Sequence, residues 1–445
     1  MSIPSNKIGF WSVFELVTIS QIGSGLMLPA QLAAFGSLSL IGWGISGFGA
    51  LILAIIFTEL CVRNPKMGGP HAYIREAFGS TAAFFTGWTY WVASWVSTVA
   101  IITSAVGYLS PLILGDKDSV LITLSLEMGI ITWATILNLK GIAQTRKTTF
   151  STVIIKVIPL ILVPIMGLFF FDKSNFSVLN VSLTSSQGLS YCNNVILITL
   201  WGFIGFESAT ASADKIHRPS KTIRQALIFG TLFVVVVYFI STLGILGMIP
   251  GEVLISSKAP YSDAAYIIAG ASGYIFISLV CAYICLNAVN VWTLASGHIA
   301  LGATQDGLLP KLFSKTNQNG APVAALLISW LGTIFILVLI HQASLTQRIN
   351  MVIDLSVITF LFVYMACCLA YLKMLYLEKK PSPLWKWACG IISLGFCTWV
   401  ISSTELLTLC ISALFVLSGV PIFLVRYKKI VKPKLDSFPH SNLLT

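Results

Sequence analysis

Charge is what this sequence has least of. Only 10% of its 445 residues are Asp, Glu, Lys or Arg, against about 25% in a soluble domain. Hydrophobic residues make up 56%, and mean hydropathy is +0.88. A soluble enzyme or scaffold is excluded. Long hydrophilic stretches are missing too: the longest, 63–80, 172–189 and 303–321, each hold fewer than 20 residues. No extramembrane domain is expected, which weighs against a receptor with an output domain. No His/Asp/Glu cluster or nucleophile–base pair stands out, which weighs against an enzyme. The nine cysteines (61, 192, 281, 285, 367, 368, 389, 397 and 410) form no metal-ligand pattern with histidine. They read as small apolar packing residues, and neither a metal nor a cofactor is expected. The roughly ten-residue alternating pattern of an outer-membrane barrel is absent, and so is a cleavable leader ahead of the first apolar run.

What is present is a succession of apolar runs, each about the 20 residues a helix needs to cross a bilayer. They read as twelve spans: 10–34, 38–62, 81–110, 119–139, 149–171, 190–212, 225–248, 265–302, 322–341, 350–376, 384–404 and 406–425. The fold class is therefore all-α, a polytopic membrane protein with a single transmembrane domain over 1–425 and a basic tail over 426–445. The net charge of +11 suggests nucleic acid until its distribution is read. Of 27 Lys and Arg, 22 fall at the N-terminus, in or beside the even-numbered loops, or in the C-terminal tail. Only Lys117, Lys173, Lys258 and Arg348 fall on the other side, and Lys156 lies within the fifth span. By the positive-inside rule both termini are cytoplasmic. The partner is the lipid bilayer, with no nucleic acid expected.

Two spans are interrupted. The first reads SQIGSGLMLPAQLAAFG over 20–36 and the sixth LWGFIGFESATASA over 200–213. Glycine and proline weaken a helix interior, and unpaired backbone at membrane depth is tolerated only where it is buried or lines a cavity. The breaks are five spans apart. That spacing predicts two five-helix repeats, about 10–171 and 190–376, the second inverted because the repeat has an odd number of spans, with two extra helices over 384–425. Matching interrupted helices in two halves point to a transporter's binding site; taken singly, each break reads rather as a small-residue helix contact.

Glu207 sits at the second break and is the sole charge between Lys173 and Asp214. A carboxylate at this depth costs several kcal/mol unless paired or hydrated. It could bind a cation, carry a proton, couple the two, or hydrogen-bond the unwound backbone. Trp201 and Trp292 occupy mid-span positions where an indole face could take a guanidinium or ammonium, or where it simply packs. Glu15 and Asp354 are candidate proton or cation sites, or structural carboxylates.

The motifs GSGLMLPAQLA, MGGPHAYIREAFG over 67–79, LWGFIGFESA followed by RPSKTIRQA, and DGLLPKLFSKTNQNGAPVAAL resemble those of the amino acid–polyamine–organocation superfamily, over nearly the whole chain. Within it the chain is most similar to the basic amino acid/polyamine antiporters, such as arginine/agmatine and putrescine/ornithine exchangers. The resemblance implies a bacterial inner-membrane exchanger of basic amino acids or polyamines, a homodimer with discontinuous first and sixth helices. It implies that Ile22, Gly23, Ser24 and Gly25 offer backbone groups to the substrate carboxylate and amine. Trp201 would stack on or cap the substrate, Trp292 would line its far side, Ile204 would pack on its stem, Ala93, Ser94 and Thr98 would meet its cationic end, and Ser356 would line the site. Tyr90, Glu207 and Tyr364 would gate and couple. Ser94 and Thr98 stand where the arginine exchanger's pattern has Cys and Asn, Gln21 replaces an apolar residue, and Asp354 replaces a neutral one. These departures leave the substrate open to neutral or different cationic amino acids; a proton-coupled amino-acid symporter on the same fold and a transport-inactive sensor are the alternatives.

Overall fold

The computed structural model describes residues 9–23, 25–63, 69–115, 119–141, 150–175, 186–207, 216, 219–378 and 381–431. Among the described residues nine helices are long and apolar enough to cross a membrane. They are the second span (Leu38–Arg63), third (Pro70–Leu114), fourth (Val120–Leu139), seventh (Pro219–Met248), eighth (Pro260–Gln305), ninth (Val323–Ile340), tenth (Leu345–Tyr376), eleventh (Leu384–Ser402) and twelfth, which starts at Leu406. The first, fifth and sixth complete the expected twelve. The first is Phe10–Gln21 followed, past a break, by short helical turns from Gly25 to Phe35. The fifth is Phe150–Gly167 with a last tight turn to Phe170. The sixth is Ser186–Trp201, ending at its break.

Helices are the form these runs must take, because hydrocarbon offers no partner to an exposed peptide group. Hydroxyls inside the spans follow the same rule by bonding carbonyls of their own helix, as Ser46 does to Gly42 at 2.7 Å and Thr58 to Ala54 at 2.8 Å. The third span is the central one: it packs most extensively against the eighth and tenth, and 78% of its most apolar stretch is buried, against 17% for the twelfth. Leu331, Phe335 and Leu339 of the ninth span and Leu406, Leu414 and Leu417 of the twelfth point outward, as lipid-facing residues do.

Two starts differ from the apolar-run reading. The third helix begins at Pro70 rather than near 81, and the eighth at Pro260 rather than near 265. In each, a glycine with positive φ, Gly79 at 82° and Gly270 at 63°, bends the chain between a short lead-in helix and the span. The lead-ins carry polar residues, so a search for continuous apolar runs passes over them. They precede spans five apart, and the chain reaches them at opposite faces, as the inverted repeat requires. The twelfth helix stops at Leu417 and resumes over Val420–Val431. The bend falls at Gly419, where an added Cβ would lie 2.8 Å from the Trp88 ring. The start of the expected tail therefore continues as helix, while residues 432–445 lie outside the described residues.

Several charged residues of the bundle are paired across spans. Arg348, 4% exposed, pairs with the fully buried Glu127, joining the tenth span to the fourth. At the face that carries the N-terminus, Glu59 is bridged by Arg224 and, at 2.8 Å, by Lys386. His71 Nε2 lies 2.9 Å from Asp306 Oδ2, tying the first lead-in helix to the end of the eighth span.

Candidate functional site

The helix of the first span ends where its ladder runs out. The Ile22 amide donates to Thr18 O at 2.8 Å, and Gly23 then takes φ 129°, a conformation only glycine adopts freely. Two tyrosines claim the carbonyls on either side of the gap: Tyr238 Oη donates to Gln21 O at 2.9 Å and Tyr108 Oη to Leu26 O at 2.8 Å. Tyr238 stacks on Trp43 at 5.0 Å between centroids and lies so close to Gly25 that a Cβ there would be 2.3 Å from its ring. Ser24 lies outside the described residues. In the sixth span the helix ends at Trp201, and the amides of Gly202, Phe203 and Ile204 turn back to carbonyls three residues earlier. Gly205 then takes φ 110°.

The two breaks meet. Ser20 Oγ donates to Gly205 O at 2.9 Å. A Cβ at Gly205 would lie 3.0 Å from Ser20 O and 3.2 Å from Trp292 Cζ2; one at Gly23 would lie 3.3 Å from Ala288 Cβ, one turn from Trp292. The eighth span therefore seats both breaks against one stripe.

Glu207 lies just past this junction, 1% exposed. Tyr90 of the third span donates to Oε1 at 3.2 Å, and Tyr364 of the tenth donates to Oε2 at 2.8 Å. The Gly205 amide also donates to Oε2, at 3.1 Å. The carboxylate thus holds together the broken sixth helix, the third span and the tenth. Hydrogen bonds to an ionised acceptor are about twice as strong as neutral ones, which offsets part of the desolvation of a buried charge.

The structure brings most of the expected residues around this point. Trp201 is 3% exposed and Trp292 8%. Trp292 meets Phe360 edge-on at 6.1 Å, and Phe360 in turn contacts Tyr90 at 5.9 Å and Tyr364 at 6.1 Å. Phe360, which sequence reasoning missed, is the aromatic hub linking the tryptophan to both tyrosines. Ser356, Phe360 and Tyr364 form an i, i+4, i+8 stripe on the tenth span. The Ser356 hydroxyl is buried with no hydrogen-bond partner among the described residues. Ala93 is fully buried one turn beyond Tyr90. Ser94 and Thr98 spend their protons on their own helix, donating to Trp91 O at 2.6 Å and Ser94 O at 2.9 Å. Their oxygens can still accept from a cation. Ile204, Leu200, Val357, Leu361 and Tyr364 border a void of only about 10 Å³, near the least that holds one water. An amino acid fits here only after helices move.

Two expected carboxylates are elsewhere. Asp354 lies ten residues before Tyr364, about 15 Å along the helix. Glu15 lies eight residues before Gly23, about 12 Å, and its buried Oε1 has no partner among the described residues. Neither joins the Glu207 cluster. Among the described residues no group of three or more His, Cys, Asp or Glu is arranged to hold a metal ion.

Known proteins give this geometry its context. The family described as amino acid permease matches residues 8–429. The chain is 30% identical over 434 residues to a Bacillus subtilis (strain 168) protein provisionally named an arginine/ornithine antiporter, covering 89% of this chain and 92% of that one. It is 32% identical over 342 residues to the cadaverine/lysine antiporter of Escherichia coli (strain K12), covering 76% and 75%. The fold resembles that of the Eremococcus coleocola manganese transporter with a TM-score of 0.56 over 95% of this chain and 94% of that one, at 15% identity; such a likeness speaks to the fold alone.

Proposed function

The chain belongs to the amino acid permease family, and from that premise we propose that it exchanges a cationic amino acid for a related amine or amino acid by alternating access, with arginine and agmatine as the favoured pair. It is a multi-pass membrane transporter rather than an enzyme. In this reading both termini face the cytoplasm, and the protein sits in a bacterial inner membrane.

The observation that carries the proposal is the buried Glu207, bonded to Tyr90, Tyr364 and the Gly205 amide at the junction of two broken helices. The substrate's carboxylate meets the backbone of the first break, where a half-helix N-terminus favours an anion. Its cationic end lies against Trp201 and Trp292, with Ser94, Thr98 and Ser356 as acceptors. A cation near Glu207 competes with the tyrosines for the carboxylate. Because those tyrosines belong to the third and tenth spans, occupancy is transmitted to the helices that must part. Exchange without net uptake follows if the empty carrier reorients poorly.

The test is uptake of labelled arginine into liposomes preloaded with arginine, agmatine, ornithine, lysine, a neutral amino acid or buffer, with and without a pH gradient. Uptake that requires an internal basic partner supports the proposal. Uptake into empty vesicles driven by a proton gradient replaces it with the symport reading, which Asp354 favours: this carboxylate lies within a span and forms no ion pair among the described residues.

A further inference from the structure

The sixth and tenth helices both enter the bundle from the face opposite the N-terminus and pack against each other. Leu200 of the sixth and Leu361 of the tenth border the same central void. Seven residues back from each, on the same helical stripe and about 10 Å nearer that face, stand Asn193 and Asp354. Two facing stripes at one depth therefore end in an amide and a carboxylate. Asn193 is 2% exposed, and its Nδ2 donates to Ser403 O at 3.1 Å, in the turn between the eleventh and twelfth spans. That bond fixes the amide and leaves Oδ1 buried without a donor. Two residues after Ser403 comes the exposed Glu405, which caps the start of the twelfth helix, and that helix packs against the tenth, where Asp354 is half-buried.

Two carboxylates and an unsatisfied amide oxygen thus belong to the same end of the groove, and neither carboxylate forms an ion pair among the described residues. A buried amide oxygen without a donor is destabilising, and like charges held together repel. A cation removes both penalties.

The geometry points to a second cation site, formed by Asp354, Glu405 and Asn193 Oδ1 at the outer end of the groove between the sixth and tenth helices, that takes the ammonium or guanidinium group of a substrate before it reaches Glu207. Three acceptors match the three donors of a primary ammonium, and a guanidinium can bridge the carboxylates. The site is half open to solvent, as an entry site must be, whereas the Glu207 cluster is closed. The inference rests on the cation-exchange reading for the identity of its ligand.

The experiment measures arginine and cadaverine bound per chain of purified full-length protein by equilibrium dialysis, with choline or sodium as the background cation, together with melting temperature and exchange kinetics in liposomes. The wild type should bind two amines per chain, and Asp354→Asn and Glu405→Gln one each. Both variants should raise the external KM about threefold or more, with kcat within about twofold. Without ligand both should melt about a degree higher, because one of two repelling charges is gone; a purely structural acidic pair would instead lose stability. Asn193→Leu should reproduce the binding loss while leaving the carboxylates in place. One amine per chain in the wild type, or two in Asp354→Asn, overturns the inference while exchange, if retained, leaves the transport reading standing. A second site that fills with sodium in preference to either amine overturns the ligand assignment. Absence of both amine binding and exchange overturns both readings.

Discussion

Tyr364 donates its hydroxyl to Glu207 Oε2 at 2.8 Å across 157 residues of chain. The bond joins the tenth span to the broken sixth at the level where the breaks meet. Removing either end has a calculable effect. Glu207→Ala leaves Tyr90 and Tyr364 without their acceptor and should abolish exchange while the protein still folds into the membrane. Tyr364→Phe leaves a buried carboxylate with one donor fewer; stability should fall by about 1–3 kcal/mol and exchange should slow about tenfold or more. Full exchange in Glu207→Ala, measured in liposomes beside a size-exclusion check of folding, would sink the coupling role.

Trp292 meets Phe360 in a T-shaped pair at 6.1 Å beside the second break. Desolvated cation–π contact is worth about 0.5–2 kcal/mol, so Trp292→Leu should weaken a cationic amino acid about two- to thirtyfold. A neutral analogue of equal length should suffer less. Competition of both ligands against labelled arginine checks this, and equal losses would argue for simple packing.

Gly205 takes φ 110° with Ser20 O and the Trp292 ring within 3.0 and 3.2 Å of where a Cβ would stand. Gly205→Ala should cost about 1–3 kcal/mol in backbone strain and push the two breaks apart. Transport should be lost, with a lower melting temperature. Gly44→Ala, in the second span with open space around the added Cβ, is the control expected to keep both.

Arg348 and Glu127 form an ion pair whose side chains are 5% and 0% exposed. Arg348→Met strands the glutamate and should destabilise by about 3–5 kcal/mol. The double variant Arg348→Met/Glu127→Gln should recover most of that loss. A double-mutant cycle on melting temperature reads the coupling; additive losses would show that the two residues act separately.

Much of the fold was legible because the bilayer restricts the choices. Twelve apolar runs, the bias of Lys and Arg and the breaks at Gly23 and Gly205 are local features of sequence, and the helices formed close to where the runs lie. The lead-in helices over 70–78 and 260–268 were not legible, since their mixed surfaces carry no continuous apolar signal. Within the site, Glu207 announced itself as a lone charge in apolar surroundings. Phe360, Tyr108 and Tyr238 did not, because an aromatic that bonds an unwound carbonyl or links a tryptophan to a tyrosine looks like any other core residue until its neighbours are known.

By itself the sequence determined that the chain crosses the membrane, how many times, and where two helices must break, because hydrocarbon tolerates neither uncompensated charge nor unpaired backbone. Only the tertiary structure decided which partners resolve those breaks. Tyr90 and Tyr364 reach Glu207 from positions 117 and 157 residues away, and Arg348 reaches Glu127 from 221. Asp354, only ten positions before Tyr364, is carried about 15 Å along the helix away from Glu207. Hydrogen bonds and ion pairs act over a few ångströms, and packing alone sets which distant residues come that close.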